Sequence, residues 1–260
     1  MNLAFTLGRL LMHVRPAPLA VLLKHALFIR RQIVTTRDGT FWVDPASDAG
    51  QRVFATGRYD AVTDEILQHV LRPGDTFVDL GANEGYVSIA AARLVGETGR
   101  VIAIEPQARL QEVLRRNFAL NHRRVELLAV AVSDRPGTAT LQLAPDMNNS
   151  ATGLASRTRY RLATQEVPQL TLAQVFEQRQ VVAPIVLKID IESWEHEAIL
   201  GSPEIFRAGL VRVLVLELHP TDLVARGLDP KAVPDFLHSC GYLQIAGGHG
   251  IAWARPNSMA

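Results

Sequence analysis

A chain of 260 residues that is 48% hydrophobic and 20% charged is long and apolar enough to bury one large core. Its 27 basic and 26 acidic residues nearly cancel and form no long block of one sign, which argues against an electrostatic footprint for nucleic acid. Cys240 is the sole cysteine, so an internal disulfide, a zinc cluster of cysteines and a CxxC redox pair are excluded, and a cytoplasmic, reducing setting is expected.

In chain order, the apolar stretch Ala17 to Ile29 comes first. It holds Lys24 and His25 and falls short of the roughly 20 residues that span a bilayer, so no membrane span is expected. A helix packed on the domain is the expectation. Contact with a membrane surface is the alternative, because Arg9, Arg15, Lys24, Arg30 and Arg31 flank apolar residues. Ile33 to Val43 alternates around Asp38-Gly39, which predicts a small β hairpin. These segments set residues 1–58 apart as an extension with a β cap, before a domain over 59–260.

From Tyr59 the pattern turns to alternating strand and helix, the mark of an α/β sheet covered on both faces. Helices are predicted over Asp60–Leu71, Tyr86–Val95, Ala108–Leu120, Leu172–Gln178, Trp194–Leu200 and Pro230–Ser239. Strands are predicted over Thr76–Leu80, Val101–Ile104, Val125–Val130, Thr138–Leu143, Ile185–Ile191 and Val211–Leu218. Ala144 to Tyr160 is polar and without period, a candidate closing loop. Tyr242–Ala246 and Ile251–Ala254 flank Gly247-Gly248-His249-Gly250 and predict an antiparallel hairpin at the sheet edge.

A doubly wound sheet binds ligands beyond the carboxyl ends of its strands, where the strand order reverses. The first strand ends there in Asp79-Leu80-Gly81-Ala82-Asn83-Glu84-Gly85. Gly81 and Gly85 let the backbone approach a ligand closely, as any nucleotide-binding turn requires. The third glycine of GxGxxG is missing, however, and Asp79 stands at the strand end. At about 5 Å and an effective dielectric of about 20, a carboxylate beside a pyrophosphate costs roughly 3 kcal/mol. A sulfonium nucleoside such as S-adenosylmethionine has no phosphate and would be attracted, directly or through an intervening group. Glu105, at the tip of the second strand, suits two ribose hydroxyls. Nicotinamide-binding proteins use the same device, so only Asp79 and Glu105 together discriminate. The plain alternative is a strand-to-helix turn with Asn83 capping the helix.

The fourth strand runs into Lys188-Ile189-Asp190-Ile191-Glu192-Ser193-Trp194-Glu195, and in a doubly wound order it lies beside the first. The runs DLGANEGYVS, VIAIEP, AVSDRPGTATL and KIDIESWEHEAILGS, in that order, resemble the FkbM family of S-adenosylmethionine-dependent methyltransferases over roughly Phe54 to Pro220. The resemblance implies a class I methyltransferase fold, a Rossmann-like sheet that is mostly parallel with a C-terminal antiparallel hairpin. It also implies methylation of an oxygen on a small molecule or sugar. By position, Asp79, Gly81, Asn83 and Gly85 would line the methionine part of the cofactor, Glu105 the ribose, and the segment with Ala131, Val132 and Ser133 the adenine edge. Asp190 and Glu192 would face the reaction. Ser193 and Trp194 stand where the family has Gly and Ala, so either the acceptor pocket is reshaped or the indole points into the core.

Methyl transfer from a sulfonium needs alignment above all, and a base only if the acceptor must lose a proton. Asp190, Glu192 and His219 are the candidates, with His219 closest to neutrality by its ordinary pKa. Asp190, Glu192 and Glu195 invite thought of a divalent ion, but no further ligand is identifiable and no metal site is assigned. The competing readings are a cofactor-binding module without catalysis and, less favoured, a nicotinamide-dependent oxidoreductase.

Overall fold

The computed structural model describes residues 2–143, 163–245 and 249–256. The polar stretch expected to form a closing loop therefore lies outside the described residues, as do residues 246–248 of the glycine-rich turn.

The extension begins with α1 (Leu3–Leu11), capped by the Asn2 side chain on the Ala4 amide, and α2 (Ala17–Ala26). Of the described side chains of α2, Ala20 alone is fully buried, a thinner contact than a packing helix suggests. No helix among the described residues is long and apolar enough to cross a membrane. A hairpin of β1 (Gln32–Thr35) and β2 (Thr40–Val43) follows, with Thr35 opposite Thr40. Asp38-Gly39 therefore sits in a four-residue loop rather than a tight two-residue turn. Next come α3 (Asp48–Thr56), capped by Ser47 and ended by left-handed Gly57, and α4 (Ala61–Val70), capped by Asp60 on the Val62 and Thr63 amides.

The central sheet is built from β3 (Thr76–Leu80), β4 (Arg100–Ile104), β5 (Glu126–Leu128), β9 (Ile185–Ile189), β10 (Val211–Leu216), β11 (Leu243–Gln244) and β12 (Ala252–Ala254). Its order is β11-β12-β10-β9-β3-β4-β5. The five strands from β10 to β5 are parallel, while β12 runs antiparallel to both β10 and β11. This is the class I methyltransferase sheet with its C-terminal antiparallel hairpin. The chain winds outward from β3 in one direction and returns to β9 to wind in the other. The crevice at the switch point thus lies over the tips of β3 and β9.

Alternation decides what each face buries. Val78, Leu80, Ile102, Ile104, Leu187 and Ile189 join one core with α7 (Leu172–Gln178), α8 (Glu195–Leu200), α9 (Pro203–Arg207) and α11 (Ala232–Ser239). Phe77, Val101, Val186 and Val213 join a second core with α4 and α5 (Tyr86–Val95). Both faces being covered, the central strands read as continuous apolar runs, which is why they are legible in sequence. A third core joins Phe5, Phe41 and Val53 of the extension to Ile89 and to Leu114 of α6 (Ala108–Leu120).

Several boundaries differ from those predicted. The third strand stops at Leu128, and β6 (Ala131–Ser133) leaves for a separate three-stranded sheet with β7 (Gly137–Gln142) and the unpredicted β8 (Thr164–Thr171). β8 runs antiparallel to β7, and its mixed sequence TQEVPQLT carries Pro168, a residue that weakens a strand assignment. β9 and β10 each end two residues early, where the backbone turns to form the site. Helices α1, α3, α9 and α10 (Pro220–Ala225) also had no predicted span; the last two are short and start with a proline at the first turn.

Candidate functional site

The crevice over β3, β4 and β9 opens into a cleft of about 790 Å3, mouth included. Of the residues singled out in the sequence, Gly81, Asn83, Glu105, Ala131, Val132, Asp190 and Glu192 line it. Asp79, Gly85, Ser133 and His219 do not form its wall. They act on the groups that do.

Asp79 shares the sheet face of Phe77, so it points under α5 instead of into the crevice. It is fully buried and accepts the Ser88 hydroxyl at 2.6 Å. Lys188, its cross-strand partner in the β3–β9 register, brings its ammonium to 3.4 Å from Asp79 and 3.6 Å from Asp190. The same ammonium donates to the Gly81 carbonyl at 3.0 Å. Burial pulls the Lys188 pKa down, but Asp79, Asp190 and Tyr59 outweigh it and the net shift is upward, so the group stays charged. Asp79 thus reaches the cleft through Lys188.

The glycine turn is held by geometry that other residues resist. Gly81 has φ +87°, and a Cβ there would run into the backbone carbonyl of Asp190 on the neighbouring strand's exit. Gly85, at φ +86°, is the N-cap of α5 and makes no side-chain cap bond. Asn83 therefore does not cap that helix. It stands on the cleft wall at φ +50°, and its side-chain carbonyl oxygen is buried without a hydrogen-bond partner. Glu105 accepts the Asn83 amide on one carboxylate oxygen and the Gln107 amide on the other, each at 3.0 Å. Burial raises its pKa to about 7 against those two bonds. An orphaned acceptor at Asn83 and a preset carboxylate at Glu105 fit a nucleoside bearing hydroxyl and ammonium donors.

Across the cleft, Glu192 and Ser193 are both left-handed, at φ +52° and +77°. The fully buried Glu195 holds this bend by accepting the Ile191 amide at 3.0 Å and the Ser193 amide at 3.1 Å. Ser193 also donates to Asp222 at 2.8 Å, and Arg226 donates to its carbonyl. Ser193, where the resemblance leads one to expect Gly, is left-handed here, with serine's strain offset by these bonds. Trp194 lines the cleft. Its Nε1 donates to Ser133 at 2.9 Å, and the Arg226 guanidinium lies 3.8 Å from the ring centroid. Of the two readings of this indole, the structure takes the one that shapes the pocket.

His219 follows β10 and approaches Glu195 through Nδ1 at 3.2 Å and Glu192 through Nε2 at 3.9 Å. The Glu195 hydrogen bond, with help from the charges of Glu195, Glu192 and Asp190, lifts its pKa to about 9 over the opposing effect of burial. Glu192 is raised to about 7, by burial first and then by Asp190. Donor atoms of Asp190, Glu192 and His219 lie within 4.8 Å of one another. The histidine that sequence could not supply as a further ligand is thus in place. With its pKa lifted to about 9, the imidazole pairs with Glu192 and Glu195.

Sequence reasoning passed over Tyr59, Gln107 and Leu141, which also line the cleft. Nothing in the local pattern of Tyr59 or Leu141 marks them, since each is brought in by an element distant in the chain, whereas Gln107 follows Glu105 by two residues on the same exit from β4.

A family profile described as the methyltransferase FkbM domain matches residues 79–243. No curated protein matches. Among solved structures, fibrillarin from Aeropyrum pernix, with natively bound S-adenosyl-L-methionine, is 13% identical, with 86% of this chain and 94% of that one covered and a TM-score of 0.41. Precorrin-6y C5,15-methyltransferase from Geobacter metallireducens is 18% identical over 70% of each chain, with a TM-score of 0.39. A putative O-methyltransferase from Klebsiella pneumoniae is 16% identical, covering 80% of this chain and 96% of its own, with a TM-score of 0.38.

Proposed function

This chain belongs to the methyltransferase FkbM domain family, and on that premise we propose that it moves the methyl group of S-adenosylmethionine to an oxygen of a small molecule or sugar. The observation that carries the reading is the cleft itself. One wall offers Glu105 and the orphaned Asn83 acceptor, and the other offers Asp190 and Glu192 backed by His219.

The cofactor supplies an electrophilic methyl on a good leaving group, so the protein's work is placement and proton removal. Glu105 would accept the ribose hydroxyls, with Gly81 and Asn83 against the methionine part and Ala131 and Val132 against the adenine. Glu192 is assigned as the proton acceptor, because its pKa of about 7 leaves it partly ionised at neutrality. His219, protonated below about 9, serves as its counterion and not as the base. Asp190 stays beside Lys188 and shapes the floor. The unit that carries this chemistry is residues 59–260, with 1–58 packed on it as a separate extension. The free, buried Cys240 fits a reducing, cytoplasmic setting.

The test is incubation with methyl-labelled cofactor and a panel of hydroxyl acceptors, read by mass spectrometry. Glu192→Gln should lower kcat by about 10² to 10⁴ while cofactor affinity holds. An unchanged kcat removes the base from Glu192. Tight cofactor binding with no labelled product from any acceptor favours a binding module without catalysis.

A further inference from the structure

The first 37 residues contain six Lys or Arg and no Asp or Glu, although acids and bases balance in the chain as a whole. Three of these cations have acidic partners within the chain: Lys24 with Asp44, Arg31 with Glu84 and the exposed Arg37 with Asp38. Arg9, Arg15 and Arg30 make no ion pair among the described residues.

The same segment carries most of the exposed apolar surface. Of eleven large hydrophobic residues exposed among the described residues, seven fall within the first 33. Leu3 and Leu10, two turns apart, share one side of α1 with 71% and 63% exposure. Leu19 and Leu22 share one side of α2. At the end of α2, Leu27 and Phe28 are 48% and 77% exposed while the next residue, Ile29, is buried. Phe28 has φ +53°, a conformation that a bulky residue adopts only when its neighbours hold it there. The aromatic ring is thus presented outward by an anchored chain.

We propose that this N-terminal segment docks in the plane of an anionic lipid bilayer, with the leucines and Phe28 in the acyl boundary and Arg9, Arg15 and Arg30 on the headgroups. Both helices are too short to span, so they would lie flat. A second copy of the chain would bring the same unpaired cations to the interface, which opposes self-association through this segment. A negatively charged surface offers both what the arginines lack and a place for the leucines.

The experiment is co-sedimentation of the full chain with vesicles of phosphatidylcholine alone or mixed with phosphatidylglycerol. It reads binding and needs no methyl transfer. Three unpaired arginines predict a preference for the anionic vesicles on the order of 100-fold, largely lost at high salt. Leu22→Ser with Phe28→Ser should weaken binding at least about tenfold. Arg9→Gln, Arg15→Gln and Arg30→Gln together should abolish the preference for anionic lipid. These positions are exposed, and unchanged melting confirms that the variants fold. Failure of the native chain to bind anionic vesicles overturns the proposal, as does binding that neither set of substitutions reduces. A lipid-free dimer lost in Phe28→Ser overturns it in favour of a second copy. Lipid-free capture of an acidic protein, lost in the arginine variant, overturns it in favour of a protein partner.

Discussion

Replacing Lys188 by Met keeps most of the unbranched apolar stem and removes the charge that joins β3 to β9. Asp79 is fully buried, with its second oxygen left only the Lys188 ammonium 3.4 Å away. At an effective dielectric of about 20 that separation is worth about 5 kcal/mol of gross attraction. The native lysine also bears a desolvation penalty that Met escapes, so the net loss is smaller. Breaking a buried pair from one side costs about 3 to 5 kcal/mol, and that is the stability change expected for Lys188→Met in urea unfolding. Adding Asp79→Asn removes the stranded charge and keeps an acceptor for Ser88, so the double variant should regain at least about half of the loss. Cofactor affinity should stay low in both variants, because the Gly81 carbonyl has lost its donor. A loss below about 1 kcal/mol in Lys188→Met, or a double variant less stable than the single one, would refute the claim that Asp79 acts through Lys188.

Glu105 gives a pH signature. Its pKa of about 7 lies above the ordinary value of 4.5, so in the free protein the carboxyl holds a proton that the unfolded chain has already lost between those pH values. Folding stability from this group is therefore full below about 4.5 and declines as pH rises toward 7, by up to about 3 kcal/mol. Binding a cationic nucleoside favours the ionised form, so calorimetry in buffers of different ionisation enthalpy should show proton release near pH 6 to 7 and none near pH 9. Glu105→Gln should abolish the release, and a persistent signal would assign it elsewhere. For Trp194, Phe should cost about 1 kcal/mol through the lost bond to Ser133. Ala should in addition change the KM for acceptors and widen their range; identical acceptor profiles for the two variants would take the indole out of the pocket wall.

What the sequence showed and what it hid have separate physical causes. β3, β4 and β9 were legible because strands buried on both faces read as apolar runs. Gly81 and Gly85 were legible because their backbone demands exclude other residues. The side to which Asp79 points is implicit in its alternation with Val78 and Leu80, but the partner that links it to the cleft, Lys188, is set by the β3–β9 register. β8 stayed hidden because its mixed pattern and Pro168 read as loop. The base assignment turned on a tertiary fact as well. His219 has a near-neutral intrinsic pKa, and only the meeting with Glu195, from a different strand's exit, makes it a stable cation. Trp194 could be named as a departure, but its direction depended on Ser133 and Arg226, both distant in sequence.

The most direct trial of the cleft is isothermal titration with S-adenosylmethionine on the native chain and on Glu105→Ala. One site per chain, weakened at least about tenfold in the variant, is the outcome predicted, since a charge-assisted pair of hydroxyl bonds is worth more than 1.4 kcal/mol. No binding to the native chain, or equal affinity in the two proteins, would contradict it.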